Sequence, residues 1–121
     1  MYEVTKRIEI AGAHCLDLPY ASNCNKLHGH NWIIEIACKA SLLNESGMVI
    51  DFTDIKREVM TLDHENLGDF LDVNPTAENI AEYLHKRVSL AVSSDAPMNR
   101  GFKVTKVTVQ ESEGNTACYI P

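Results

Sequence analysis

The stretch that decides the fold begins at His28, ends at Ala40 and reads HGHNWIIEIACKA. Its apolar side chains fall on every second position, while Glu35 and Lys39 take positions between them. A period of two is typical of a β-strand that buries one face and leaves the other in water. The predicted buried face also carries two histidines, and its members are His28, His30, Trp32, Ile34, Ile36 and Cys38.

A second strand of the same kind is predicted from Tyr2 to His14. Ile8 and Ile10 share one face of this strand with His14, because side chains two positions apart project to the same side. If the two strands pair antiparallel, the end of the first strand lies beside the start of the second. His14 would then meet the His28 end of its partner strand.

The rest of the chain predicts two helices and two more strands. Apolar residues take helical spacing over residues 51–62 and again over residues 76–92. Alternation returns over residues 102–111 and 116–120, and its phase slips near Thr105, which predicts a β-bulge there. The order ββααββ indicates an α+β fold, with a four-stranded antiparallel sheet and both helices packed on one face. No linker interrupts the chain of 121 residues, so we expect one domain.

The composition narrows the classes of function. The chain has 17 acidic residues and 11 Lys or Arg, for a formal net charge of −6. A nucleic-acid partner is therefore not expected, because such binding requires many basic side chains. No apolar run is long enough to span a bilayer and no signal peptide is visible, so we expect a cytoplasmic protein without a membrane partner. A small phosphorylated ligand needs only a local cation, such as Lys26 or Arg100.

The three histidines at the shared strand end predict a metal site. His14, His28 and His30 would point into one pocket, and Gly29 removes bulk between two of them. Three neutral imidazoles suit Zn²⁺ and leave a fourth position for water or substrate, which is the pattern of a catalytic site. Copper, nickel or iron are the other metals that imidazole ligands accept.

Cys24 lies in a long connection between the two histidine-bearing strands, four residues before His28. Long connections in compact domains often carry function. Two interpretations stay open from the residues alone. Cys24 is either a fourth ligand that closes a structural site, or an unligated thiol that does chemistry because a nearby metal ion promotes its ionisation.

Two further candidates come from the second half of the chain. Asp63 and His64 follow the first predicted helix, and an acidic neighbour can make an imidazole a proton relay; a solvated helix end is the alternative. Glu111 falls near the end of a strand, on the side favoured by Val107 and Val109. It is either an inward carboxylate or an exposed charge at a strand end.

Taken together, these motifs resemble the 6-pyruvoyl-tetrahydropterin synthase family. The resemblance rests on Cys24-x-x-x-His28-Gly29-His30, Leu62-Asp63-His64, Asn74-Pro75-Thr76-x-Glu78 and Glu111, and it extends over nearly the whole chain. The spacing between the cysteine and the first histidine of the HGH triplet is similar to that of the branch that makes 6-carboxy-5,6,7,8-tetrahydropterin in queuosine biosynthesis.

The resemblance implies a tunnelling fold, or T-fold, in which three subunits join their sheets into a barrel and two trimers stack into a hexamer. It also implies active sites at subunit interfaces. It assigns zinc to His14, His28 and His30. By the same resemblance, the remaining roles are the general base for Cys24, a proton relay from a neighbouring subunit for Asp63 and His64, the pterin anchor for Glu111, and a further pterin contact for Thr76.

The implied reaction converts 7,8-dihydroneopterin triphosphate to 6-carboxy-5,6,7,8-tetrahydropterin, with loss of acetaldehyde and triphosphate. Within the family, the alternatives are a synthase that forms the 6-pyruvoyl product and an aldolase-like activity on dihydroneopterin derivatives. From another class, the chain could be a non-enzymatic module stabilised by zinc, with Cys24 as the fourth ligand.

Overall fold

The computed structural model describes residues 1–93 and 99–121. Its strands and helices follow the chain in the order β1, β2, α1, β3, α2, β4, β5, with two single-turn 3₁₀ helices between them. The strands are β1 Tyr2–His14, β2 His28–Ala40, β3 Glu65–Asn66, β4 Lys103–Ser112 and β5 Asn115–Tyr119; the helices are α1 Phe52–Met60 and α2 Ala77–Ser93; the 3₁₀ turns are Asn23–Asn25 and Leu67–Phe70.

The sheet has five strands in the order β3-β1-β2-β4-β5. β1 and β2 pair antiparallel over their full length, from Tyr2 opposite Ala40 to His14 opposite His28, as predicted. The prediction of four antiparallel strands is wrong, because β3 pairs parallel with β1 and makes the sheet mixed. β3 has only two residues, too few for a period-two pattern to reveal it.

Two irregularities in β4 set the direction of its side chains. The register against β2 shifts between Ala37 and Cys38 and leaves Thr105 without a partner, which confirms the predicted bulge. This extra residue moves the buried face from Val104 to Val107. A second shift, against β5, leaves Glu111 out of register. Both bulges therefore decide which side chains of β4 reach the buried side of the sheet.

Both helices pack on the same face of the sheet, as predicted. The buried side chains of β1, β2 and β4 form one cluster with those of α1 and α2. Fully buried members include Trp32 and Ile34 on the sheet, Ile55 on α1, and Ile80 and Leu84 on α2. Burying such a side chain contributes about 1.5–3 kcal/mol each. Neither helix among the described residues is long and apolar enough to cross a lipid bilayer.

The first turn of each helix is capped by a side chain. Asp51 Oδ1 accepts a hydrogen bond from the Thr53 backbone N–H at 2.9 Å, which caps α1. Thr76 Oγ1 accepts from the Asn79 backbone N–H at 3.1 Å, at the start of α2. α2 therefore begins at a fixed point beside the end of β1, where Pro75 contacts His14.

Candidate metal centre and catalytic residues

The pairing of β1 with β2 gathers three histidines at one end of the sheet. His14 lies directly opposite His28, and His30 lies two residues further along β2. The ring centroids are 4.5 Å apart for His14 and His28, 4.8 Å for His28 and His30, and 5.2 Å for His14 and His30. We call these three side chains the histidine cluster. Their convergence follows from the alternation along the two strands.

Backbone carbonyls orient two rings of the histidine cluster. His14 Nδ1 lies 2.8 Å from the carbonyl oxygen of Pro75, and His28 Nδ1 lies 2.7 Å from that of Lys26. A carbonyl only accepts hydrogen bonds, so each Nδ1 carries the proton and donates it. In a neutral ring, the Nε2 lone pair is then left for a metal ion.

Glu111 brings a carboxylate to the histidine cluster. Its Oε1 lies 3.0 Å from His30 Nε2 and 3.4 Å from His14 Nε2. One ligand atom from each of the four residues lies within 4.8 Å of all the others, so this group can hold a metal ion. The position of Glu111 in the second β4 bulge brings its side chain to this point.

The donor atoms of this group fit a single divalent cation. Within the described part of the chain, the buried Nε2 atoms of His14 and His30 have no hydrogen-bond partner. A nitrogen lone pair facing a carboxylate oxygen is repelled unless a cation lies between them. Ligands at about 2.0–2.1 Å from a tetrahedral zinc ion lie about 3.3 Å from one another. The distances from Glu111 Oε1 to His30 Nε2 and His14 Nε2, 3.0 Å and 3.4 Å, are close to this value. Burial lowers the pKa of His14, which keeps its ring neutral and able to bind metal.

Trp32 lies against the histidine cluster and is fully buried. Its ring meets those of His14 and His30 edge to face, at centroid distances of 4.8 Å and 5.4 Å. Its Nε1–H donates to the carbonyl oxygen of Gly12 at 3.0 Å. A Cβ at Gly12 would lie 3.1 Å from Leu67 and 3.2 Å from the indole nitrogen, so glycine permits this approach. Sequence reasoning missed this role, and the only signal for it was the position of Trp32 two residues after His30.

Asp63 and His64, which we call the Asp–His pair, are held against β1. Asp63 Oδ2 lies 2.9 Å from His64 Nδ1, and Asp63 Oδ1 accepts from the Ala11 backbone N–H at 2.9 Å. The His64 backbone N–H donates to the Ala11 carbonyl oxygen at 2.6 Å. The hydrogen bond from Ala11, followed by that from the His64 ring, holds the pKa of Asp63 below its ordinary value. Asp63 is therefore an ionised partner for the imidazole.

His64 has a strained backbone and an exposed ring. Its φ of 60° lies in the left-handed region, which residues with a Cβ rarely adopt. Its side chain is 80% exposed. Backbone strain of this kind clusters at functional sites, where the surrounding structure enforces it.

A pocket of about 520 Å³ is lined by His64 and by His30 of the same chain, and small residues of β1 and β2 give it room. The reach of the pair into a neighbouring subunit stays a prediction. The lining residues are Ala11, Gly12, Ala13, Gly29, His30, Asn31, His64, Glu65 and Asn66.

Cys24 lies in the 3₁₀ turn between β1 and β2 and is half-buried. Its backbone N–H donates to Ser22 Oγ at 3.1 Å, and its carbonyl oxygen accepts from the Leu16 N–H at 2.7 Å. Among the described residues, the ligand group contains Glu111 and does not contain the Cys24 sulfur. The role of Cys24 as an unligated base stays a prediction.

Comparison with known proteins identifies the family. A sequence profile described as 6-pyruvoyl tetrahydropterin synthase matches residues 3–121. The chain belongs to this family. It is 30% identical over 112 residues to the 6-carboxy-5,6,7,8-tetrahydropterin synthase of Rickettsia conorii, covering 73% of this chain and 80% of the relative. It is 34% identical over 79 residues to the dihydroneopterin monophosphate aldolase of Pyrococcus furiosus, covering 62% of this chain and 67% of the relative.

The fold of this family member is that of the solved synthases. The 6-pyruvoyl tetrahydropterin synthase of Caenorhabditis elegans superposes with a TM-score of 0.73, covering 99% of this chain and 95% of that protein. The sequence identity in this superposition is 24%, so the likeness establishes the fold alone. The chain fold of the T-fold family is confirmed, with a mixed five-stranded sheet as its form here, whereas the assembly into trimers and a hexamer stays a prediction.

In this member of the 6-pyruvoyl tetrahydropterin synthase family, Arg100 is wrong as a candidate phosphate contact. It is only 6% exposed. Its guanidinium group donates to the carbonyl oxygens of Leu42, Met48 and Val49 at 3.2–3.4 Å and so ties down a surface loop. Lys26, in contrast, is exposed and lies two residues before His28.

Proposed function

We propose that this chain is a zinc-dependent lyase that converts 7,8-dihydroneopterin triphosphate to 6-carboxy-5,6,7,8-tetrahydropterin, with release of acetaldehyde and triphosphate, in queuosine biosynthesis. The observation that carries the proposal is the pair of buried Nε2 atoms, on His14 and His30, that face Glu111 without a hydrogen-bond partner among the described residues. Membership of the family and the name of the Rickettsia relative support the reaction.

The histidine cluster would hold the zinc ion. Three imidazoles are the donor set of a catalytic zinc site, and the carbonyl oxygens of Pro75 and Lys26 would keep two rings aimed at the ion. Bound there, zinc supplies a Lewis acid that stabilises negative charge on the hydroxyl oxygens of the substrate side chain. The fold thus prepares the ligand geometry before a substrate binds.

Cys24 would take the proton that leaves carbon in the substrate side chain. A thiol beside a cationic centre ionises more readily, which makes its sulfur a competent base. The turn Asn23–Asn25 and the bond between Leu16 and Cys24 hold the backbone that carries this sulfur.

The Asp–His pair would move protons as bonds break. His64 Nδ1–H donates to Asp63 Oδ2, so Nε2 is the atom that takes up or returns a proton. The ionised carboxylate of Asp63 orients the His64 ring through this hydrogen bond. The family resemblance places this relay at the site of a neighbouring subunit, and within one chain His64 lines a pocket together with His30.

Glu111 would anchor the pterin ring, and Thr76 would add a contact. A carboxylate accepts two parallel N–H bonds from the guanidine-like edge of a pterin. Glu111 must then leave His30 and His14, which its Oε1 faces here. Thr76 Oγ1 accepts the helix-cap hydrogen bond, and its O–H would donate to the ring.

The proposal includes a cytoplasmic hexamer of two trimers. Sheet edges with unpaired backbone groups favour pairing with another chain. Among the described residues, β5 lies at one edge of the sheet, and β3 covers only Gly12 and Ala13 at the other. Molar mass from light scattering tests this part, and a monomer would contradict it.

Product analysis tests the reaction. The zinc-loaded protein is incubated with 7,8-dihydroneopterin triphosphate, and every product is identified by mass. We expect 6-carboxy-5,6,7,8-tetrahydropterin, acetaldehyde and triphosphate in equal amounts. A 6-pyruvoyl product without acetaldehyde would instead assign the alternative synthase reaction. The Cys24→Ala variant should keep zinc and the fold but lose turnover, whereas loss of zinc and unfolding would favour the non-enzymatic module.

A second candidate is an aldolase acting on a dihydroneopterin with fewer phosphates. The relative in Pyrococcus furiosus named dihydroneopterin monophosphate aldolase favours it. Comparing kcat/KM for the triphosphate and the monophosphate decides between the two candidates.

A further inference from the structure

The connection between β1 and β2, residues 15–27, is tied to itself around Cys24, and we call it the connecting loop. The Leu16 N–H donates to the Cys24 carbonyl oxygen at 2.7 Å. The Leu18 N–H donates to Asn25 Oδ1 at 3.1 Å. These bonds join the first half of the loop to the turn that carries Cys24. A shift of the first half therefore moves the thiol.

The Asn74 side chain, which lies outside the connecting loop in sequence, hydrogen-bonds to the first half of this loop. Its Oδ1 accepts from the Asp17 backbone N–H at 2.8 Å, and its Nδ2 donates to the Asp17 carbonyl oxygen at 3.0 Å. The side chain thus satisfies both backbone groups of one loop residue, as a neighbouring strand would do. Two bonds fix both the position and the orientation of Asp17.

Asn74 is itself held at the start of α2. Its carbonyl oxygen accepts from Asn79 Nδ2 at 2.9 Å and from the Thr76 N–H at 2.8 Å. The next residue, Pro75, is buried and its carbonyl oxygen accepts from His14 Nδ1. One short segment therefore contacts both a ligand of the histidine cluster and the loop that carries Cys24.

We infer that Asn74 is a positioning residue that fixes Cys24 relative to the histidine cluster. The inference rests on the proposed function only for the role of Cys24 in turnover. Misplacing a reacting group by about 1 Å can cost about 10²-fold in rate, so a clamp of this kind matters to catalysis. The clamp acts through the loop backbone and does not touch the substrate.

Two variants of Asn74 distinguish the contributions of its two hydrogen bonds to Asp17. Asn74→Ala removes both bonds to Asp17, whereas Asn74→Asp keeps the acceptor and loses the donor. In Asn74→Ala we expect amide exchange in the connecting loop to accelerate about tenfold, as for a locally opened segment. We expect kcat to fall about 10²-fold with little change in KM and with zinc content kept. The amide exchange rate and the kcat of Asn74→Asp should lie between those of the wild type and those of Asn74→Ala.

Alkylation of Cys24 gives a readout that does not depend on turnover. Iodoacetamide modification of each cysteine is followed by peptide mass spectrometry in the wild type and both variants. Cys24 should react about tenfold faster in Asn74→Ala, because its half-buried thiol is released with the loop. Cys118 on β5 is exposed and far along the chain, so its rate should not change.

Asn44→Ala is the matched control. Asn44 Oδ1 also accepts two backbone N–H groups, from Ser46 and Met48, but it does so in the loop that precedes α1. In Asn44→Ala, amide hydrogen exchange in the connecting loop and alkylation of Cys24 should proceed at wild-type rates. Equal acceleration in Asn44→Ala would show a global effect and overturn the inference.

The outcomes separate this inference from the proposed function. If the connecting loop exchanges its amide hydrogens and Cys24 is alkylated at wild-type rates in Asn74→Ala, the inference is overturned. This holds even if the enzyme turns over as proposed. If Asn74→Ala does not fold, Asn74→Asp decides by the same two measurements. If the wild type converts no pterin while Cys24 is alkylated faster in both Asn74 variants, the positioning role of Asn74 is supported and the proposed function is wrong.

Discussion

Two kinds of imidazole lie at the same end of the sheet, and the fold holds them differently. His14 is 1% exposed, and its Nδ1 donates to the buried carbonyl oxygen of Pro75. His64 is 80% exposed, and its Nδ1 pairs with the ionised carboxylate of Asp63. His14 lies on a regular strand, whereas His64 has a left-handed backbone with a φ of 60°.

The difference shows how one side chain takes two roles. A carbonyl partner and burial keep an imidazole neutral, which leaves a lone pair for a metal ion. A carboxylate partner orients the ring, and exposure opens it to water and substrate, which suits proton transfer. The histidine cluster is thus built to bind and the Asp–His pair to carry protons.

The largest effect is expected from His14→Ala. It removes one of three ligands of the histidine cluster and leaves a cavity beside Trp32. We expect zinc to be lost from the purified protein and turnover to fall below detection. The measurement is zinc per chain by elemental mass spectrometry.

His85→Ala is the matched control for this loss. His85 also bonds a carbonyl oxygen, that of Val104 at 2.9 Å, but it lies outside the group that can hold a metal among the described residues. The His85→Ala variant should therefore keep its zinc. Zinc retained in His14→Ala, or lost in His85→Ala, would break the contrast.

His64→Ala should separate proton transfer from metal binding. Removing a general acid or base costs about 10²–10⁴-fold in rate, so we expect kcat to fall in that range. Zinc content should equal that of the wild type, because His64 is not in the ligand group. A drop in bound zinc would place His64 among the ligands and contradict the division of roles.

Trp32→Phe should loosen the histidine cluster without removing a ligand. The variant keeps an aromatic ring but removes the indole hydrogen bond to the buried Gly12 carbonyl oxygen. A hydrogen bond of this kind contributes about 0.5–1.5 kcal/mol net, so the free energy of unfolding should fall by about that amount. Urea denaturation measures the change, and a competition titration with a chelator should show weaker zinc binding. Unchanged stability and zinc affinity would remove Trp32 from the account.

His64→Gly sharpens the strain at the Asp–His pair. Glycine adopts a φ of 60° without the penalty of about 1–2 kcal/mol that a Cβ brings. We therefore expect His64→Gly to be more stable than His64→Ala by about 1 kcal/mol, although both are inactive as proton carriers. Equal unfolding free energies would show that the turn carries no strain.

The smallest effect concerns pH. The pKa of Asp63 is lowered from its ordinary value of 3.8, so the ionised carboxylate stabilises the folded state. This contribution is fully present above pH 3.8 and is lost as the pH falls through the lower folded pKa. In Asp63→Asn the acid limb of the stability curve should be shallower. Parallel curves for variant and wild type below pH 4 would contradict this.

Much of the fold could be predicted because its main strands are long. The bounds of β1 and β2 follow from alternation over 13 residues each, and the slip at Thr105 revealed a bulge. β3 could not be predicted, since two residues show no period. It forms because the turn at His64 returns the chain beside Gly12, a tertiary contact that no local pattern records.

The candidate site could be predicted only as far as strand geometry reaches. The convergence of the histidine cluster follows from the register of two paired strands. The approach of Glu111 to His30 depends on the two bulges of β4. No spacing of residues in the sequence predicts how the two bulges together direct this side chain. The carbonyl partners of His14 and His28 are backbone groups, and the identity of a residue does not reveal where its carbonyl points.

X-ray absorption at the zinc edge of the zinc-loaded chain tests the central claim most directly. The account predicts only light scatterers, nitrogen and oxygen, at about 2.0–2.1 Å, in the wild type and equally in Cys24→Ala. A shell of sulfur at about 2.3 Å that disappears in Cys24→Ala would contradict it, because Cys24 would then be a ligand and not a base.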